Sequence, residues 1–281
     1  MIKGYKYFLN PVSREWFTVP IDHEVAEFAQ TMDYHDIHDI TQDEFLKRYC
    51  SEKWVSELHR AYERGLSKER LTIGIGSGYG EHELLLHLKG YPILASDIIP
   101  DLSNKLSTLF PEFRGLTIDI FTNDIHEIVK KVNNYSGMDF DLLVTGLDFY
   151  FDSNTTQVLF NKLAQNLAKG AFLVFTLRYP ASTSRRIVEF FLYSEAQFNH
   201  WVRRKGIIQK HHGYRKSVKE IIAFADSAGF RVLSIEPVML GCECSRNRIL
   251  GLFQGVCILI DGLIPLFNCA YVLKFEKSER T

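Results

Sequence analysis

Three glycines at every second position, Gly76, Gly78 and Gly80, follow directly on the apolar run Leu71–Ile75. Glycine adopts positive φ cheaply and lets a ligand come close to the backbone, so such a turn is suited to holding one. A helix predicted to begin near Glu81 aims its unpaired N–H groups and positive dipole end at the same spot. Asp97 closes a second short apolar stretch, roughly 20 positions past the first turn glycine. A carboxylate at that place can accept hydrogen bonds from both hydroxyls of a ribose. Strand, glycine turn, helix, strand and acid together describe a site for a nucleoside-containing ligand.

The elements that must position this turn are legible along the chain. Apolar runs predict further strands at residues 116–120, 140–147, 171–177, 231–236 and 270–275, with helices at 156–168 and 217–228. Gly229 stands where a helix C-terminal cap is expected. Strands alternating with helices imply a doubly wound, mostly parallel sheet with its ligand at the carboxyl ends of the strands. At 281 residues the chain suits one large α/β domain with additions. The formal charge of −1 offers no global electrostatic case for binding nucleic acid. No secretory signal is read at the N-terminus, and five cysteines, an odd number, fit a reducing cytoplasm better than a disulfide framework.

A dinucleotide fold needs its third glycine one place later, at Tyr79 or Glu81, and neither fits. The turn instead resembles that of the class I S-adenosylmethionine-dependent methyltransferases, and the resemblance covers about residues 71–277. It implies a seven-stranded sheet whose last strand, here 270–275, runs antiparallel beside the sixth or fifth. It also implies cofactor contacts from Gly76, Ser77, Gly78 and Gly80, from Asp97 and Ile98, from Asp119 and Ile120, and from Thr145 and Leu147. Asp119 would accept from the adenine amino group; alternatively Asp119, or Asn123 with Asp124, caps the next helix. The implied cofactor is S-adenosyl-L-methionine, with S-adenosyl-L-homocysteine as product. One departure stands out: the family carries Asp or Glu two residues before the first turn glycine, and here that place is Gly74.

Three segments lie outside the cofactor core. Residues 1–69 resemble an N-terminal helical cap, with an extended start over 5–19 and helical stretches near 22–32, 42–50 and 52–64. Within it, His35-Asp36-Ile37-His38-Asp39 reads as a solvated turn, with Asp39 or Thr41 capping the next helix, rather than as a metal site. Cys242-Glu243-Cys244 is too cramped for a zinc knuckle, so no metal is expected. Trp16, Tyr34 and Trp54 are candidates for lining an acceptor pocket or for plain core. Residues 178–216 are expected to form a basic, aromatic helical insertion over the acceptor site, fit to attract an anion, to face solvent or to lie on a membrane surface. Residues 249–267 approach the length of a membrane span, but Gln254, Asp261 and Pro265 argue for burial against the core or in a homodimer contact, with a pocket for an apolar acceptor as the alternative.

An oxygen or nitrogen acceptor that starts protonated needs a base. Candidates are Asp148 and Tyr150, just past the fourth strand, and His211 and His212 in the basic segment. Members that methylate amino groups of bases or glutamine carry D/N-P-P-Y after that strand; here the place reads Leu147-Asp148-Phe149-Tyr150. The expectation is therefore a cytoplasmic enzyme acting on a small molecule with an anionic or aromatic part. The alternatives are a catalytically silent methyltransferase-like binding protein and an NAD-dependent oxidoreductase.

Overall fold

Residues Leu71–Ile75 are buried along their whole length, as a strand must be when helices cover both faces of its sheet. The computed structural model describes residues 5–9, 16–20, 40–50, 53–78, 80–98, 106–133, 139–148, 151–178, 215–238 and 270–278. Strands β1 (Tyr5–Leu9) and β2 (Trp16–Pro20) pair antiparallel by themselves, resolving the extended start into two strands. Helix α1 (Gln42–Phe45) opens on a capping box between Thr41 and Glu44, then widens into a π-helical turn at Leu46–Cys50 before α2 (Lys53–Gly65).

The remaining strands make one sheet. They are β3 (Leu71–Ile75), β4 (Ile93–Asp97), β5 (Gly115–Thr117), β6 (Phe140–Val144), β7 (Phe172–Leu177), β8 (Phe230–Val238) and β9 (Ala270–Lys277). Their order is β5-β4-β3-β6-β7-β9-β8. The first five run parallel, and β9 lies antiparallel between β7 and β8, pairing Phe175 with Leu273 and Ile235 with Leu273. The connecting helices are α3 (Glu81–Leu88), α4 (Ile125–Asn133), α5 (Ser153–Gln165) and α6 (Val218–Ser227). The expected seven-stranded, mostly parallel sheet with a reversed last strand is thus present.

Local chemistry moved some boundaries. The strand expected at 116–120 stops at Thr117, so Asp119 stands in a turn. The helix expected from 156 starts at Ser153, because the Asp152 carboxylate accepts from Thr155 N at 2.7 Å. The stretches expected at 22–32 and 249–267 lie outside the described residues, as do residues 179–214 of the expected insertion and the side chains of Trp16, Tyr34 and Trp54. No helix among the described residues is long and apolar enough to cross a membrane.

Period-2 alternation splits the strand residues between two cores. Leu142, Val144, Leu173, Phe175, Leu273 and Phe275 face one side, under Leu159 and Leu163 of α5 and Ile221 of α6. Leu143, Val174 and Val272 face the other, under Leu58 and Tyr62 of α2 and Leu84 and Leu86 of α3. Helix α2 therefore forms part of the layer on the sheet: the Tyr62 hydroxyl hydrogen-bonds Thr176 Oγ1 at 2.7 Å, wholly buried. Phe160 sits among Phe175, Phe230 and Phe275, with ring centroids 5.1–6.4 Å away. Truncation by Phe160→Ala is expected to lower unfolding free energy by about 3–5 kcal/mol in urea titration, and a loss below about 1 kcal/mol would contradict this packing.

Candidate functional site

Strand β3 lies between β4 and β6, so the chain leaves the centre of the sheet in opposite directions. In such folds the crevice outside the strand carboxyl ends is the ligand site. The glycine turn sits there. Gly76, Gly78 and Gly80 have φ of 69°, 56° and 69°, in the left-handed region that disfavours other residues. A Cβ on Gly76 would also come within 2.5 Å of Leu147 Cδ2, so the turn is folded tightly under the loop after β6.

Hydrogen bonds hold this turn from three sides. Ser77 N donates to Ser96 O (2.9 Å), and Ser96 N donates back to Ser77 Oγ (3.2 Å). The Ser77 hydroxyl donates to Glu83 Oε1 on α3 at 2.8 Å. Gly78 N donates to Asp97 Oδ2 at 2.9 Å, placing the acid of β4 directly beside the loop. On the β6 side, Thr145 N donates to Ile75 O and its hydroxyl to Gly76 O, both at 3.4 Å. A side chain built on Gly78 would meet no described atom within 4 Å, so the loop has room for a ligand against its backbone.

The residues expected at the cofactor site are largely brought together. Gly76, Ser77, Gly78, Gly80, Asp97, Thr145 and Leu147 surround this one turn, and half-buried Ile98 follows Asp97. Ile118 N donates to Asp97 O at 3.0 Å, which brings the turn carrying Asp119 and Ile120 alongside β4. There the Asp119 carboxylate accepts from Phe121 N (3.0 Å) and the Thr122 hydroxyl (2.9 Å), while Asp124 accepts from His126 N (2.9 Å) at the start of α4. Asp148 is buried just past β6; Tyr150, His211 and His212 lie outside the described residues.

Solved structures share this architecture. Magnesium protoporphyrin IX methyltransferase (ChlM) from Synechocystis PCC 6803, with bound S-adenosyl-L-homocysteine, superposes with a TM-score of 0.53 at 12% identity, over 90% of this chain and 98% of that one. A S-adenosylmethionine-dependent methyltransferase from Archaeoglobus fulgidus gives 0.52 at 14% identity, over 87% and 100%. One from Methanosarcina mazei gives 0.51 at 11%, over 78% and 98%. The chain has the class I S-adenosylmethionine-dependent methyltransferase fold. No family model matches it, and no curated protein matches it significantly.

Within that methyltransferase fold, two buried polar groups, Lys216 and Glu83, escape a reading of motifs, while His82 is beside the glycine turn in the sequence. Lys216 is 1% exposed and donates to Asp148 O (2.7 Å) and Phe151 O (2.6 Å), pinning the loop after β6. Burial pulls its ammonium below the ordinary lysine range, against the opposing charges of Asp148, Glu220 and Asp152. In the sequence it is one more cation in a basic run. His82 packs edge-on against Tyr62 at 5.3 Å, and burial drives its pKa down to about 3, so it stays neutral near pH 7. Glu83 is 0% exposed, with its Oε2 unpartnered among the described residues.

Gly76→Ala is expected to destabilise the protein by roughly 2–4 kcal/mol, from left-handed strain of about 1–2 kcal/mol plus the collision with Leu147. Adding Leu147→Ala should relieve the collision and leave the strain. Thermal melts that show no partial recovery in the double variant would argue against the collision.

Proposed function

We propose that this chain transfers a methyl group from S-adenosyl-L-methionine to an oxygen or nitrogen of a small-molecule biosynthetic intermediate in the cytoplasm, releasing S-adenosyl-L-homocysteine. The observation that carries the reading is the Asp97 carboxylate fixed 2.9 Å from Gly78 N at an open glycine turn. That arrangement fits a nucleoside whose ribose edge meets the acid while the rest of the ligand passes over the glycine backbone. Asp119 and Ile120 would border the adenine, and Thr145 and Leu147 the far side of the loop. The glycine spacing gives no place for a diphosphate beneath a third glycine, which weighs against NAD.

The bound cofactor supplies a methyl group made electrophilic by its sulfonium. The protein's own tasks are to align an acceptor and take away its proton. Alignment at near-attack distance contributes up to about 7–11 kcal/mol. Asp148 is 2% exposed beside the Lys216 ammonium, a setting that favours an anchor over a proton acceptor, so Tyr150, His211 and His212 are the stronger proposals for a base. The cationic segment 178–216 would recognise an anionic part of the acceptor.

Gly74 in place of the expected acid favours a second reading, a binding protein that has lost catalysis. Calorimetric titration separates the possibilities. Wild type should bind S-adenosyl-L-homocysteine, and Asp97→Ala should bind it about 10–100-fold more weakly, about 1.4–2.8 kcal/mol. No binding by wild type, or equal binding by Asp97→Ala, would sink the cofactor reading. Binding without methyl transfer to any metabolite of a cell extract would favour the silent one.

A further inference from the structure

The space beside Gly74 is already filled. A Cβ built there would collide with Glu83 Oε1, lie 2.7 Å from Glu83 Cγ and 2.8 Å from Ser77 Oγ. The carboxylate of Glu83 therefore occupies the volume that a side chain at position 74 would take. It reaches this place from the first turn of α3, on the opposite arm of the strand–turn–helix unit. One of its oxygens grips the turn through the Ser77 hydroxyl at 2.8 Å. The other, Oε2, is buried and has no hydrogen-bond partner among the described residues. A buried carboxyl oxygen without a partner costs free energy unless a hydrogen-bonding group arrives, so the arrangement has a place for one.

We infer that Glu83 replaces the missing strand acid: it positions the glycine turn through Ser77 and receives the cationic amino-acid end of the cofactor. The inference rests on the cofactor reading of the site given above. Gly74 is then the consequence of the relocation, since only a residue without Cβ leaves room for Glu83.

Burial lifts the Glu83 carboxyl to about 8, with Glu81 on its own helix and Asp97 from β4 adding to the rise and the Ser77 hydroxyl opposing it. The charge of Glu83 in turn acts on the Tyr62 hydroxyl of α2. With no ligand the group is therefore largely protonated at pH 7, and an ammonium placed against it would drive its proton off to the buffer. A carboxyl raised from 4.5 to about 8 on folding adds stability that is complete below pH 4.5 and disappears as pH rises through about 8. Relative to Glu83→Gln, ligand-free wild type should thus lose stability across that window.

The test is calorimetric titration at pH 7, in two buffers of different ionisation heat, of wild type and Glu83→Gln. The probes are S-adenosyl-L-homocysteine and 5′-methylthioadenosine, which lacks the amino-acid end. Expected are proton release by wild type with the first probe only, and a loss of about tenfold or more in Glu83→Gln for that probe alone. A double variant, Gly74→Asp with Glu83→Ala, should recover affinity that Gly74→Asp alone loses. If wild type binds and Glu83→Gln matches it in affinity and proton exchange, or weakens equally for both probes, this inference is overturned and the cofactor reading survives. If wild type binds neither probe, both fall.

Discussion

A turn with three left-handed glycines has little reason to keep one shape, and the Ser77 side chain is what confines it. That hydroxyl accepts from Ser96 N on β4 and donates to Glu83 on α3, so one oxygen ties the loop after β3 to a neighbouring strand and to the helix that follows it. Glycine's conformational freedom allows the turn but also makes it costly to order. Cross-bracing offsets that cost before any ligand arrives. The Gly78–Asp97 bond adds a further tie, and it uses a group suited to recognise a sugar. Under the proposed function the same polar atoms serve as scaffold and as recognition surface.

The brace stands on a sheet covered on both faces, and the region preceding the glycine motif supplies part of that cover. Tyr62 contacts Thr176 on β7 and packs on His82 of α3, so helix α2 links the centre of the sheet to the helix carrying Glu83. Burial pushes the Tyr62 hydroxyl well above its ordinary range, which keeps it a neutral hydrogen-bonding group. At the loop after β6, Lys216 plays a comparable part. Two charge-assisted bonds, worth on the order of 1.5–3 kcal/mol each, oppose the cost of burying an ammonium and fix the main chain at Asp148 and Phe151.

Strand positions and the glycine turn were legible because short apolar runs and alternate glycines are local signals. Leu71–Ile75 and the start of α3 at Glu81 coincide with the expectation. The end of β5 was not, since the residues that stop it, Asp119 and Asn123, act through side-chain bonds to nearby backbone rather than through a pattern. Asp97 was visible from its spacing alone. Glu83 and Lys216 were not, because an acid in a helix's first turn and a lysine in a basic run read as solvated charge. Only the folded chain shows that both are buried. The missing acid at Gly74 was the one hint, and a gap in a motif does not say which residue fills it.

The place of β9 carries a consequence for how the chain reaches this state. Among the described strands, β8 neighbours only β9, which begins at Ala270 while β8 ends at Val238. At about 5–20 residues per second, a ribosome needs a few seconds to cover that gap. During the delay β8, with Leu233 and Ile235 among its side chains, lacks the one partner it has among the described strands. Such an unpaired edge is a ready template for another nascent molecule. Synthesis speed through the intervening stretch should therefore bear on the yield of soluble product.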